Sequence, residues 1–278
     1  VQVGRVTAVA WPDQLPLAVA LAREAGRPAQ WPGLGTQTPD SLRLLVLRDG
    51  RSLDSLTGGR APEWGAAIAI PENRTIALRA DSPELPRILR HELAHLALHQ
   101  AVRVPVPLWF DEGYAGWAAG EWERLGLLDL NLAVARGAIP DLVGLDNALR
   151  GSQMTAEAAY GLATSAVVEL ARRNPTGDLA PLMERLGQGE PFDAAVLATT
   201  GLTVDRFDEA WHQGLRRRYG LGTWLLAGGG WLVVAAIVLS LVHFRRRADR
   251  DRRAALDVGW EVDPEAMGGP ELDPTRPQ

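Results

Sequence analysis

The chain has 278 residues, 46% of them hydrophobic, and a formal net charge of −5. That is enough apolar material for a sizeable core, with none of the basic excess expected of a nucleic-acid-binding protein. It contains no cysteine, which excludes disulfides and thiolate metal ligands and leaves the core and any bound metal to hold the fold.

The first residue is Val1 rather than Met, as expected of an exported chain whose signal peptide has been removed. Residues 5–10 and 42–48 read as strands and 15–25 as a helix. Residues 66–70 and 75–79 read as a β-hairpin turning at Pro71-Glu72-Asn73-Arg74. This mixed α/β stretch, 1–81, is taken as a first lobe. Residues 82–220 form a second, almost wholly helical lobe, so the fold class is α+β with a small N-terminal mixed sheet.

The second lobe opens at Ser82-Pro83-Glu84, where a serine N-cap, a first-turn proline and an early carboxylate start a helix expected over 83–102. It carries His91-Glu92-Leu93-Ala94-His95. A helix advances about 100° per residue, so His91 and His95 stack on one face. Two neutral imidazoles on a rigid element, with a third protein ligand, leave one position of a tetrahedral zinc open for water. Glu92 flanks them where it can take the proton as that water attacks a carbonyl. The bland alternative is a helix with two surface histidines. His99 shares a face with His95 but lies about 12 Å along the axis from His91, too far for one ion to bridge. Leu98 and Ala101 stand where a metzincin needs Gly and His, which excludes that subclass.

Pro105 and Pro107 then force an extended connection before a second periodic stretch beginning near Leu108. An antiparallel helix pair brings Asp111 or Glu112 back toward the histidines as the third donor. The alternative for both is a pair of surface acids at a helix N-terminus.

The segments R-H-E-L-A-H-L at 90–96 and P-L-W-F-D-E-G-Y-A at 107–115 resemble the gluzincin zinc metallopeptidases, most closely their small peptidase MA-like members. The resemblance extends through A-Y-G-L-A-T-S-A-V-V-E-L at 159–170 to a last helix containing Trp211, or roughly 62–219. It implies a zincin-like fold and a zinc ion held by His91, His95 and Glu112, with Asp111 a neighbour rather than a ligand. It further implies Glu92 as the group that activates water and Tyr160 as an oxyanion donor, against a core tyrosine as the plain reading of that residue. Two departures stand out. Thermolysin-like members place a histidine-orienting acid four residues after the glutamate ligand, where this chain has Gly116, so the outer partners of the ligands stay unassigned. Aminopeptidases carry a G-x-M-E-N segment upstream, whereas Gly65-Ala66-Ala67-Ile68-Ala69 has no carboxylate to hold a substrate amine, which favours an endopeptidase. In zincins the strand before the motif helix lies along the cleft, and its free edge can pair with an extended substrate; a plain structural hairpin is the alternative.

Further helices are expected near 128–136, 155–173, 179–186, 192–199 and 204–219. Residues 223–242 carry no charge and are rich in Leu, Val, Ala and Gly. About 20 such residues cross a hydrocarbon core of roughly 30 Å, and Trp224 and Trp231 on one side with Arg245, Arg246 and Arg247 on the other resemble interface flanks. A transmembrane helix at 221–244 and a basic, then disordered, tail at 245–278 are therefore expected. The larger arginine cluster places that tail in the cytoplasm and the catalytic domain outside the cell membrane. The resulting reading is a single-pass zinc metallopeptidase acting on a peptide or protein substrate. The competing readings are a non-catalytic, zinc-stabilised peptide sensor and an amidase of cell-wall peptides.

Overall fold

The computed structural model describes residues 1–59, 65–121, 139–151, 153–219 and 230–257. Contacts divide the chain into two units, Val1–Leu221 and Gly222–Gln278.

In the first unit, apolar residues at every second position give β2 (Val6–Ala10) and β5 (Leu42–Leu47) one buried face, whereas β7 (Thr75–Arg79) is buried on both. Strands β1 (Gln2–Val3), β2 (Val6–Ala10), β5 (Leu42–Leu47), β7 (Thr75–Arg79) and β6 (Ala67–Ile70) form one mixed sheet in that spatial order. The β2–β5 and β5–β7 pairs are parallel, whereas β1 and β6 join antiparallel at the two edges. The register sets Ala8 beside Leu44, and Leu44 beside Ile76. All three are buried against helices α1 (Leu15–Ala25) and α3 (Leu85–Ala101). On the opposite face Ala77 meets Leu53 of the short helix α2 (Gly50–Thr57). A separate ribbon of β3 (Ala29–Trp31) and β4 (Gly35–Gln37) lies between α1 and β5 in sequence. The expected strands, the first helix and the hairpin all occur within a residue or so of their predicted ends.

One boundary differs. The motif helix α3 starts at Leu85, its N-cap is Glu84 in the left-handed region (φ 55), and Pro86 rather than Pro83 occupies the first turn. Ser82 instead closes a turn onto the Arg79 carbonyl. Both prolines satisfy the same start signal, and the Glu84–Arg87 ion pair (2.6 Å) belongs to the later start.

The remaining helices are α4 (Leu108–Ala118), α5 (Leu142–Leu149), α6 (Gln153–Arg173), α7 (Ala180–Gly187), α8 (Phe192–Thr200) and α9 (Val204–Tyr219). They enclose an aromatic cluster in which Trp109 and Phe110 meet Phe192 at ring-centroid distances of 5.9 and 5.0 Å. Trp211 is buried, with its indole N–H donating to Ser165 Oγ (2.9 Å). The helix expected at 128–136 lies outside the described residues.

Helix α4 lies directly on α6 because it presents glycine at the crossing. A Cβ on Gly113 would run into the Ala163 carbonyl, and one on Gly116 would stand 2.5 Å from Thr164 Oγ1. Pro107, the N-cap of α4, offers no side-chain acceptor, and Asp146 of α5 supplies it by accepting from the Trp109 N–H (2.7 Å). At the other end Arg90 of α3 donates to the Ala118 carbonyl (2.5 Å). Both ends of α4 are thus tied to neighbouring helices, which fixes where Glu112 points.

In the second unit, helix α10 (Gly230–Asp257) continues from apolar residues straight through the arginine cluster. Among the described residues no helix is long and apolar enough to cross a membrane. Residues 221–229 of the expected span lie outside the described residues. What remains, 230–244, is followed at once by Arg245, Arg246 and Arg247. The expected disordered tail beyond 257 also lies outside the described residues.

Candidate metal centre

Helix α3 carries His91, Glu92 and His95 on adjoining faces, and α4 runs back across it to deliver Glu112. Glu112 Oε2 lies 3.4 Å from His91 Nε2 and 3.5 Å from His95 Nε2. Ligands about 2.0–2.1 Å from a tetrahedral centre are about 3.3–3.4 Å apart, so these edges have the size of a zinc site. The three side chains offer one donor each within 4.8 Å of one another, and all are only partly exposed. Two neutral imidazoles and one carboxylate are the donor set of a catalytic zinc, and the residues fit the ion.

The far nitrogens of both imidazoles face carboxylates. His95 Nδ1 lies 2.6 Å from Asp111 Oδ1, and the other Asp111 oxygen accepts from His99 Nε2 at 2.7 Å. Burial acts to raise the Asp111 pKa, but its bonds to His95 and His99 outweigh that and hold the carboxyl below its usual range. An ionised carboxylate only accepts, so His95 donates through Nδ1, which leaves Nε2, facing Glu112, as the nitrogen that would coordinate a metal on losing its proton. His91 Nδ1 faces Glu121 Oε1 at 3.4 Å. Sequence reasoning left the outer partners open because Gly116 holds the usual position. No sequence pattern points to Glu121, and Asp111, an alternative third donor by helix geometry and a neighbour by the family resemblance, is the partner of His95.

Charge balance at the centre follows from these contacts. Burial would lower the His91 pKa, yet hydrogen bonds to Glu112 and Glu121 lift it to about 9. His95 is also lifted well above its ordinary value, against burial, by the charge of Glu112 and its bond to Asp111. Glu112 is itself pushed up by burial and pulled down further by the two imidazoles, to about 2. Glu92 moves the other way: burial raises its pKa, and the nearby histidines only partly offset this.

Glu92 is buried, and the Ala69 N–H of strand β6 faces its carboxyl and partly offsets the effect of burial on its pKa. Arg79 donates to the Ala66 carbonyl on the β7 side, so by antiparallel alternation Ala67 and Ala69 turn their backbone groups to the free edge. The Glu92 contact therefore joins the motif helix to the open edge of the sheet. Tyr160 of α6 is half-buried, with its ring 6.3 Å from that of His91 in edge-to-face contact. Its hydroxyl pKa is raised, first by burial and then by the charges of Glu112, Glu92 and Glu121. All five residues singled out from the sequence, His91, Glu92, His95, Glu112 and Tyr160, thus converge at one place.

Residues 54–217 match the family model described as the Peptidase MA superfamily, a span that takes in the β6–β7 hairpin and helices α3 to α9. No curated protein matches the chain.

Proposed function

The chain belongs to the Peptidase MA superfamily, and from that premise we propose that it is a membrane-anchored, zinc-dependent endopeptidase. The observation that carries this reading is the pair of 3.4 and 3.5 Å edges from Glu112 Oε2 to the two Nε2 atoms, beside a buried Glu92. When bound by His91, His95 and Glu112, zinc supplies Lewis acidity toward water and a peptide carbonyl. Glu92 takes the proton from the attacking water and returns it to the leaving amine, and the burial that raises its pKa makes it a stronger base than an exposed carboxylate. Tyr160, beside His91, donates its hydroxyl proton in a hydrogen bond to the developing oxyanion, and a raised pKa keeps that proton in place.

The endopeptidase assignment draws on strand β6. Beside the Ala69 N–H that faces Glu92, the outward backbone groups of Ala67 and the Ala69 carbonyl give an extended peptide an edge to pair with. Gly65-Ala66-Ala67-Ile68-Ala69 has no carboxylate to hold a substrate's amino terminus.

The anchoring assignment draws on α10, whose apolar side chains are exposed from Trp231 (77%) to Phe244 (66%) before the arginines begin. Such a surface is costly in water and suited to lipid. By the positive-inside tendency, the arginine-rich continuation supports a cytoplasmic tail, with the peptidase domain on the other side of the membrane. Retention of the full chain in carbonate-washed membranes, and release after deletion of 222–278, is the expected result.

The activity is tested by cleavage of a diverse peptide library by the zinc-loaded full chain beside Glu92→Gln. Cleavage by the wild type alone, with zinc bound to both, is expected. Equal turnover by both would refute the role of Glu92. Zinc binding with no cleavage by either would favour a peptide-binding sensor.

A further inference from the structure

We infer that Glu121 is the positioning residue for His91, taking a place that helix α4 itself leaves empty. This inference rests on the zinc-site reading above. An imidazole that binds a metal through Nε2 needs its Nδ1–H held by an acceptor, which fixes both tautomer and ring plane. For His95 that acceptor is Asp111, on α4 itself. For His91, α4 offers nothing: the position one turn beyond Glu112 is Gly116.

The backbone supplies the acceptor by another route. Helix α4 ends with Ala119 as its C-cap, and Gly120 follows at φ 74, a left-handed conformation that reverses the chain at little cost to glycine. The reversal sends Glu121 back along α4 until its Oε1 lies 3.4 Å from His91 Nδ1, with the side chain only 23% exposed. The other carboxylate oxygen, Oε2, occupies the space beside Gly116, where a Cβ would stand 3.2 Å from it. The missing side chain at Gly116 and the returning carboxylate of Glu121 are thus two halves of one arrangement. A Cβ there would collide with Thr164 Oγ1 and crowd the Glu121 carboxylate.

The test is zinc affinity of the full chain, measured by competition with a chromogenic chelator, alongside the unfolding temperature of the metal-free protein. Glu121→Ala should weaken zinc binding by about 10–100-fold while the metal-free unfolding temperature changes little. Glu121→Gln keeps an oxygen that accepts from Nδ1–H and should recover part of the loss. Glu24→Gln, an exposed acid remote from the site, should bind zinc as the wild type does. Zinc affinity of Glu121→Ala within about twofold of wild type would overturn the inference. So would a loss of affinity matched by equal destabilisation of the metal-free protein, since that is the mark of a purely structural role. Failure of the wild type itself to bind zinc would instead sink the metal-site reading, which keeps the two failures apart.

Discussion

Gly113→Ala places the sharpest demand on this account of the site. Alanine is the better helix former by about 1 kcal/mol, so the substitution should stabilise any helix with open space around it. At Gly113 the new Cβ would stand 2.6 Å from the Ala163 carbonyl carbon and 2.7 Å from Val167 Cγ2. Carbon atoms rest at about 3.5–4.0 Å, so the helices must separate by roughly 1 Å. Neither neighbour yields easily, since one is helical backbone and the other a β-branched side chain with restricted χ1. Overpacking of this kind costs about 1–3 kcal/mol, which cancels or exceeds the propensity gain. The displacement also carries the adjacent Glu112, and a zinc site tolerates only about 0.2 Å in its ligand distances. Metal affinity should therefore fall at least tenfold, more than the loss of fold stability alone explains. Gly214→Ala in α9, where nothing lies within 4 Å of the added carbon, is the control and should gain about 1 kcal/mol. Denaturant unfolding of the metal-free proteins and chelator competition for zinc read both quantities. If Gly113→Ala gains stability as Gly214→Ala does and keeps its zinc affinity, the close crossing does not set the position of Glu112.

Asp111→Asn weakens the hold on His95 and on His99 together; it should lower zinc affinity by about 10–100-fold, read by the same competition. Tyr160→Phe should lower kcat by about 10²–10³-fold with zinc content and KM near wild type; an unchanged kcat would return Tyr160 to a packing role. The metal-free protein should lose stability as pH rises. The folded pKa of His91, about 9, lies above its ordinary 6.5, so its contribution is complete below about 6.5 and is lost as pH climbs through 9. On the acid side the depressed pKa of Glu112 contributes fully above its ordinary 4.5, and that contribution is lost as pH falls through about 2. Thermal unfolding of the metal-free protein across pH 5–10 checks the alkaline limb, and stability that climbs steadily to pH 10 would contradict it.

The parts of the site legible in the sequence are those governed by local periodicity. His91 and His95 fall one turn apart on any helix, and the prolines at 105 and 107 bound the connection that returns Glu112. Short helices were harder to read. Both α2 and α5 have side-chain N-caps, with Asp49 accepting from Ser52 and Asp141 from Gly144, a signal that apolar periodicity passes over, although the equally short α7 is legible from it. Long-range capping left no local trace at all, because the acceptor for the start of α4 is Asp146, on a different helix.

Glu121 marks the limit of motif reading most clearly. A search for an acid four residues beyond Glu112 finds Gly116 and stops. The requirement belongs to the imidazole, which needs an acceptor on its far nitrogen, and any backbone path that delivers a carboxylate can meet it. Here the path is a helix end and a left-handed glycine. The same glycine that defeats the motif makes the room for the Glu121 carboxylate, so the departure at Gly116 is better read as part of the site than as a gap in it.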